Sequence, residues 1–280
     1  MCNGGACPTG LHCVNNFCRE DPRATGVCTP PAGGDGSLDV LPSAYVQSVM
    51  MDQPTAYFRL DETSGTTAAN MIPTIPSGMY IGDVQLGVPG ALSDLSTAVT
   101  FKPTSGIQCV KVMSDPAYEV SANDSFSLEA WIKINSYEMA IVEIAGKLGG
   151  PTTAGYSLGL QYEPTQLQSR LRLRVGDGAM GDTATGMGVP NPFLDLDTWY
   201  HVAATLDAAT EEVKFYVNGA PMGMDIVTRQ PVVVPSAGFT IGCQDESGML
   251  TAGFFGSIDE VAFYRSVLPP ERVMTHYASR

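Results

Sequence analysis

Hydrophobic and polar residues alternate along most of the chain after residue 44, with the period of two that is typical of β-strands. In FSLEAWIKI (Phe126 to Ile134), every second residue is apolar and would lie on one face of a strand. RLRLRV (Arg170 to Val175) alternates strictly, and VKFYVNG (Val213 to Gly219) alternates and ends in the hairpin signal Asn-Gly. Each such strand buries one face, so the pattern predicts antiparallel sheets that pack face to face.

Helical periodicity is nearly absent and is confined to two short segments. One covers Ala44 to Met51, and the other covers Pro269 to Ala278, where an early proline and Glu271 in the first turn are helix-start signals. Many strands separated by turn residues fill the rest of the chain. The pattern therefore predicts an all-β fold, a two-sheet antiparallel jelly-roll sandwich.

Composition is that of a folded domain and argues against some partners. The 280 residues are 44% hydrophobic and 16% charged, which is enough apolar material for a core. The formal net charge of −14 argues against nucleic acid, because phosphate binding takes clustered Lys and Arg. No apolar run approaches the ~18 residues of a membrane-spanning helix, and the first residues lack the apolar stretch of a signal peptide.

Five of the seven cysteines lie in the first 28 residues, and these are Cys2, Cys7, Cys13, Cys18 and Cys28. A segment so short and so poor in apolar residues cannot form a core without cross-links. Disulfides are the favoured interpretation and place the protein outside the cytosol. A zinc site, with His12 beside Cys13, is the alternative, although the spacings do not match the usual pairs of zinc ligands.

Spacing alone does not fix the pairing, because four cysteines allow three connectivities. We expect alternate pairing in the N-terminal segment, a separate bridge in the large domain and Cys28 left over, so that the bridges are Cys2–Cys13, Cys7–Cys18 and Cys109–Cys243. The expected location is secreted or on the cell surface. A lipidated cysteine near the start of a native precursor is a further possibility that the sequence leaves open.

The composition shifts twice along the chain and predicts three parts. Residues 1–28 form a cysteine-rich disulfide module. TPPAGGDGSLDVLPS (Thr29 to Ser43) is rich in Pro, Gly and Ser and reads as a linker. Residues 44–280 form the sandwich domain. The opening CNGGACPTGLHCVNNFC resembles short cysteine-rich segments near the start of bacterial surface proteins.

Four segments of the large domain resemble, in the right order, laminin-G-like domains of the concanavalin A-like lectin/glucanase superfamily. They are YVQSVMMDQPTAYFRLDETSGTTAAN for the first segment, SFSLEAWIKI for the central strand, TWYHVAATLDAATEEVKFYVNG for the hairpin, and FTIGCQDESGMLTAGFFGSIDEVAFYRSVLPPERVMTHYAS for the closing strand and terminal helix. The resemblance implies a two-sheet jelly roll in a secreted or surface-exposed setting. It also implies binding of sugars, glycans or proteins, sometimes with calcium.

The resemblance implies a place for calcium between the first and last strands. Asp61 and Asp259 are where carboxylate ligands would fall, with carbonyl oxygens near Gly65 or Gly256 as further ligands. The alternative is that both acids cap turns or accept backbone N–H bonds. The sequence departs from the family where Asp-x-Ser-Gly-x-Gly often follows the first strand, since it has Asn-Met-Ile-Pro at 70–73.

Catalysis is not expected. Related glucanases use a strand-borne E-x-D-x-x-E, and that motif is absent. Strand alternation places Asp259 and Glu260 on opposite faces, where they could not act as a pair. A serine triad needs a histidine as base, and the three histidines are His12 in the cysteine module, His201 in a predicted strand and His276 near the end of the last predicted helix.

The polar face of the predicted strands is the first candidate ligand surface. Trp131 with Arg172 and His201 could form an aromatic platform with fixed polar groups for a sugar. The alternative is a solvated outer face with weak cross-strand ion pairs. Asp245 lies in the long glycine-rich loop 242–256, where it could bind calcium or a glycan, although a plain surface loop is the simpler interpretation.

Together with the resemblance, the sequence predicts a non-catalytic extracellular domain that recognises a glycan or a surface protein, and the resemblance adds a structural calcium ion as an expectation. The alternative is a structural or assembly component of a surface appendage or envelope that has no small ligand.

Overall fold

The computed structural model describes residues 43–280 except 95, 105, 138–140, 150–153, 164–167, 185–193 and 247, together with the backbone of two short strands at 12–14 and 17–19. The chain divides into two compact units, Met1–Leu41 and Pro42–Arg280. In the first unit, the two short strands pair as an antiparallel hairpin. The predicted bridges of Cys2, Cys7, Cys13 and Cys18, and the spare Cys28, involve side chains outside the described part and stay predictions.

Twenty strands, two α-helices and one 3₁₀ turn (Pro116–Tyr118) make up the described chain. The helices are α1 (Ala44–Met51) and α2 (Pro270–Ala278). The strands are β1 (His12–Val14), β2 (Phe17–Arg19), β3 (Ala56–Phe58), β4 (Thr67–Ala68), β5 (Gly78–Ile81), β6 (Gln85–Pro89), β7 (Thr97–Phe101), β8 (Cys109–Val112), β9 (Phe126–Ile134), β10 (Ile141–Gly149), β11 (Ala154–Glu163), β12 (Gln168–Asp177), β13 (Gly181–Ala184), β14 (Trp199–Asp207), β15 (Glu212–Val217), β16 (Ala220–Ile226), β17 (Phe239–Ile241), β18 (Gln244–Glu246), β19 (Met249–Thr251) and β20 (Gly256–Tyr264).

Two antiparallel sheets form the sandwich. Sheet I has the order β13-β12-β11-β10-β17-β8-β5-β4. Sheet II has the order β16-β15-β14-β9-β20-β7-β6, and β3 also pairs with β20. The predicted all-β sandwich is confirmed, and the first and last strands of the domain are neighbours as the resemblance implied.

The main core lies between the sheets and is built from the inward residues of the alternating strands. All five predicted apolar residues of β9 face it, as do the three of β12, and these are Phe126, Leu128, Ala130, Ile132, Ile134, Leu171, Leu173 and Val175. Burying each large apolar side chain contributes about 1.5–3 kcal/mol. The period-two pattern therefore predicts the inward face of both strands correctly.

A second core lies on the outer face of sheet II, under the two helices. Tyr45 and Val49 of α1 and Val273 of α2 pack with Trp131 and Tyr216 of the sheet. Ser43 caps α1, because its Oγ accepts a hydrogen bond from Val46 N at 3.3 Å. Both predicted helices are confirmed. The alternating pattern did not reveal that they would cover this sheet face.

A hairpin, β18–β19, covers part of the outer face of sheet I. Cys243, just before the hairpin, forms a disulfide with Cys109 of β8, with a Cα–Cα distance of 5.6 Å. Asp245 of the hairpin forms an ion pair with Lys111, which is also on β8, with 2.8 Å between Asp245 Oδ2 and Lys111 Nζ. The Cys109–Cys243 prediction is confirmed. Neither helix of the described part is long and apolar enough to cross a membrane.

Candidate functional site

The four residues proposed from the sequence as ligand contacts lie on opposite sides of the sandwich. Trp131 and His201 are neighbours on the outer face of sheet II, with ring centroids 5.3 Å apart. Arg172 and Asp245 belong to the outer side of sheet I. The structure therefore does not bring the four together, and the solvated polar face expected on sheet II is wrong, because the helices bury it.

Trp131 and His201 are 2% and 0% exposed. Tyr45 of α1 meets both rings edge-on at 6.2 Å, and Tyr277 of α2 stacks on Trp131 at 5.8 Å. A ligand could reach either residue only after α1 and α2 had left the sheet. In this structure both residues hold the helices in place.

A buried carboxylate, Glu129, is the centre of this second core. It accepts hydrogen bonds from Tyr264 Oη at 2.5 Å, His276 Nδ1 at 3.0 Å and His201 Nε2 at 3.2 Å. His276 Nε2 lies 2.7 Å from Asp52 Oδ2, so both nitrogens of this ring face carboxylates and both carry protons. Although burial opposes it, the Glu129 charge raises the pKa of His276, and the histidines lower the pKa of Glu129.

Arg172 is buried although it is charged, with 2% of the residue exposed, and its partner is Glu143. The two residues flank Gly159 of β11 in the sheet register. A Cβ at Gly159 would stand 2.6 Å from Glu143 Oε2, so the glycine leaves the space in which carboxylate and guanidinium meet. Ser157 Oγ donates to Glu143 Oε2 at 2.8 Å. This paired and buried group is not available to a ligand at the surface.

The β18–β19 hairpin closes over the same face. Gln244 Oε1 accepts a hydrogen bond from Arg174 Nη1 at 3.2 Å. Asp245 accepts the backbone N–H of Gly238 at 3.1 Å and of Gly248 at 2.7 Å, besides its ion pair with Lys111. Asp245 thus holds the hairpin to the sheet, and its carboxylate is buried.

The predicted separation of Asp259 and Glu260 onto opposite faces is wrong. The register of β20 against β9 shifts after Asp259, and Glu260 has a φ of 52°. This β-bulge places two residues between Ile258 and Val261, which both face the main core. Glu260 accepts a hydrogen bond from the Tyr57 hydroxyl on the helix-covered side. Both acids therefore lie buried on the outer side of sheet II.

Arg59 supplies positive charge to these acids. Its guanidinium lies 3.0 Å from Asp61, 3.2 Å from Glu260 and 3.7 Å from Asp94. Asp259 Oδ2 accepts the backbone N–H of Ala91 at 2.9 Å. In the part of the chain that the structure describes, no group of three or more His, Cys, Asp or Glu is arranged to hold a metal ion.

We expect stability to fall as the pH rises from about 5 to 7. Burial and the charge of Glu260 raise the pKa of Asp259 far above its usual range, and burial raises the pKa of Glu260 to about 7. The folded state therefore holds protons that the unfolded chain loses at lower pH, and the raised pKa of His276 acts in the same direction. Each such proton contributes a slope of about 1.4 kcal/mol per pH unit.

Urea titrations at a series of pH values measure this slope, and Asp259→Asn should reduce it because one buried acid no longer titrates. A stability that stays flat or rises across this range would contradict the assignment.

One end of the sandwich carries most of the loops that cross between the sheets. The register aligns the ends of β7 and β9 with the starts of β14 and β20 in sheet II. In sheet I it aligns the ends of β5 and β11 with the starts of β8 and β10. The connections β5–β6, β7–β8 and β9–β10 join these ends, so we call this end the loop end.

Three partly exposed tyrosines occupy the loop end, and we call Tyr137, Tyr162 and Tyr200 the tyrosine rim. The rings of Tyr137 and Tyr162 stack at 5.3 Å, and Tyr137 and Tyr200 pack against the edge of the main core. The Tyr137 hydroxyl donates to Leu194 O, and the Tyr200 hydroxyl lies 3.3 Å from Asp195 Oδ2. Burial and the neighbouring Asp195 charge raise the pKa of Tyr137, so its hydroxyl stays neutral.

Sequence reasoning missed the tyrosine rim. Tyr162 continues the inward alternation of β11, and Tyr200 begins that of β14 and packs against the main core. Tyrosine at the first or last inward position of a strand is the available signal, because its ring is apolar and its hydroxyl reaches solvent. Only the topology shows that these strand ends meet.

A polar cavity of about 400 Å³ also opens at the loop end, lined by Asp83, Gln85, Lys102, Thr104 and Gln108. Lys102 fixes two of these groups: its Nζ donates to Gln85 Oε1 at 3.2 Å, and its backbone N–H donates to Gln108 Oε1 at 2.7 Å. Gly82, in the β5–β6 turn, has a φ of 76°, which favours glycine. A Cβ at this position would stand 2.6 Å from Ile107 O, so the turn packs tightly against the β7–β8 loop.

The fold is a lectin-like β-sandwich, and its candidate contact groups, the tyrosine rim and the polar cavity, lie at the loop end. The chain belongs to the laminin-G group of the concanavalin A-like lectin/glucanases superfamily, whose family model matches residues 110–274. A comparison with curated protein sequences finds no match.

Several solved structures share the fold at low sequence identity. The binding domain of Paraclostridial Mosquitocidal Protein 1 is 13% identical with a TM-score of 0.60, and the match covers 81% of this chain and 52% of that one. Domain 4 of AbnA, an extracellular arabinanase from Geobacillus stearothermophilus, solved with arabinotriose, is 15% identical with a TM-score of 0.55, covering 80% and 98%. The binding domain of botulinum neurotoxin serotype G is 10% identical with a TM-score of 0.57, covering 81% and 51%.

This chain therefore spans about half the length of the two toxin domains and nearly all of the arabinanase domain.

Proposed function

We propose that the large domain is a non-catalytic module that binds glycans, and that the tyrosine rim is its contact surface. The observation that carries the proposal is the group of three partly exposed tyrosines at the loop end of a rigid sandwich. Sugar-binding sites combine aromatic faces with a few fixed polar groups, and Asp195 and the tyrosine hydroxyls are such groups. The arabinotriose complex of a similar domain supports a sugar over other ligands.

Absence of catalysis is part of the proposal, since the superfamily also contains glucanases. A glycosidase presents two carboxyl groups to the sugar on either side of the scissile bond. Glu129, Glu143, Asp259 and Glu260 are at most 1% exposed. Release of reducing sugar from any polysaccharide would contradict this part of the proposal.

Tyr162→Ala should weaken glycan binding roughly 30-fold or more, since truncating a central aromatic contact typically costs about 2 kcal/mol or more. The binding partner for the test is the strongest hit on an array of neutral and acidic glycans, and the affinity is measured by calorimetry. Tyr200→Phe keeps the ring and loses only the contact with Asp195, so its loss should be smaller.

Tyr277→Ala is the matched control, because Tyr277 is a partly exposed tyrosine on α2 that stacks on Trp131 at the outer face of sheet II and is not part of the rim. Melting curves confirm that each variant is folded. If Tyr162→Ala binds as wild type does while Gln108→Ala binds poorly, the contact surface is the polar cavity instead of the rim.

A structural calcium ion between Asp61 and Asp259 stays a prediction. A cation there would compete with Arg59, which already pairs with Asp61 at 3.0 Å. Melting curves with calcium and with a chelator decide it, since coincident curves would remove the calcium site.

A secreted or cell-surface location is part of the proposal and rests on the Cys109–Cys243 disulfide, because disulfides persist in oxidising compartments. A surface protein as the ligand, a lipid anchor and the part boundaries at 28 and 43 stay predictions.

Assembly without a small ligand is the second candidate function. β16 is an edge strand of sheet II, and it exposes Met224 and Ile226. An exposed apolar edge is a surface on which another strand can pair. Defined oligomers in light scattering, combined with an empty glycan array, would favour this function.

A further inference from the structure

Acidic side chains surround the tyrosine rim. Asp195 lies beside Tyr200, and Asp197 Oδ1 accepts a hydrogen bond from Asn135 Nδ2 at 2.6 Å on the same side of the loop end. Glu163 directly follows Tyr162 in β11. Asp195 and Asp197 are both exposed residues.

Arg170 and Lys133 are cations near the rim. Arg170 Nε lies 3.4 Å from Glu163 Oε1, and Lys133 Nζ lies 5.0 Å from the centre of the Trp199 ring, which precedes Tyr200. The described loop residues next to the rim, 135–137 and 194–198, contain the acids Asp195 and Asp197 and neither Lys nor Arg. The whole chain has a formal net charge of −14. The local and the overall charge therefore have the same sign.

We infer that the tyrosine rim selects uncharged glycans and rejects sialylated, sulfated and uronate-containing ones. The inference rests on the proposed function and names the ligand class of that same site. Carboxylates accept hydrogen bonds from sugar hydroxyls, so a neutral sugar gains contacts with Asp195. An acidic sugar would bring a like charge against Asp195 and Asp197, and like-charge contacts are a strong device of specificity.

The test uses a glycan array that carries pairs of glycans differing only in one acidic group. An example is a galactose-terminated glycan with and without terminal sialic acid or sulfate. We expect the neutral member of each bound pair to bind at least about tenfold more tightly at low salt. The ratio should shrink at high salt, because the Debye length falls from about 10 Å at 0.1 M to about 3 Å at 1 M.

Asp195→Asn, with one charge fewer at the rim, should reduce the neutral-to-acidic affinity ratio several-fold. Asp207→Asn is the matched control, because Asp207 ends the same strand, β14, away from the loop end, and its ratio should equal that of wild type. Acidic glycans that bind wild type as tightly as their neutral partners would overturn the inference and leave the proposed function standing. An array with no bound glycan would instead refute the proposed function.

Discussion

Replacing Cys109 and Cys243 together with serine is expected to lower the free energy of unfolding by about 2–5 kcal/mol. The disulfide joins residues 134 positions apart, and the loss of chain entropy in the unfolded state is about 5 kcal/mol for a loop of that length. The same bond anchors the β18–β19 hairpin on sheet I. The melting temperature should therefore fall by roughly 5–20 °C for a domain of this size.

Two measurements separate the cross-link from a local packing effect. Reducing agent should lower the melting temperature of wild type and leave the double variant almost unchanged. Limited proteolysis should cut the double variant faster near Gln244 to Thr251, where the hairpin has lost its anchor. A variant that melts with wild type would show that Lys111 and the sheet contacts hold the hairpin without the disulfide.

Glu129→Gln is the second large effect, and it should cost about 3–5 kcal/mol. The substitution keeps the shape of the side chain and removes the buried negative charge that faces His201 and His276. His276 would keep one carboxylate partner, Asp52, at 2.7 Å. The amide would also present hydrogen-bond donors to groups that themselves donate, so at least one contact is lost.

Glu212→Gln is the control for this prediction. Glu212 also lies on sheet II, but its ion pair with Lys214 is near the surface and should contribute no more than about 1 kcal/mol. Urea unfolding of both variants measures the difference. Equal losses for the two substitutions would mean that the buried network around Glu129 has no special contribution to stability.

Alternation along the chain is enough to predict which face of a regular long strand is apolar. It predicts the inward face of β9 and β12 because side chains on a strand point to opposite faces at every step. The helices were also predictable, since their period and start signals are local. What covers the outward face is a different question. Trp131 and His201 point outward, and α1 and α2, which cover them, lie far away in sequence.

The bulge in β20 did have a local signal. In SIDEVAFY, the apolar residues Ile258 and Val261 are three positions apart, where alternation requires two. An extra residue in one strand is what produces such a gap. Reading Asp259 and Glu260 by strict alternation therefore put them on opposite faces, although the broken spacing already indicated otherwise.

The tyrosine rim and the polar cavity show the limit of reading one sequence. Each consists of residues that are distant along the chain, and each strand taken alone is ordinary. Tyr137, Tyr162 and Tyr200 come together because β9 and β11 end, and β14 begins, at the same level of the sandwich. That alignment depends on the pairing of strands and not on local pattern.

The two carboxylates that face His276 also affect the heat of folding. At a pH between the pKa of this ring in the unfolded chain, about 6.5, and its raised pKa in the fold, folding takes up a proton from the buffer. The buffer gives up that proton, so its enthalpy of ionisation is added to the measured heat. Calorimetric enthalpies of this domain therefore depend on the choice of buffer, and the difference between two buffers counts the protons that folding takes up.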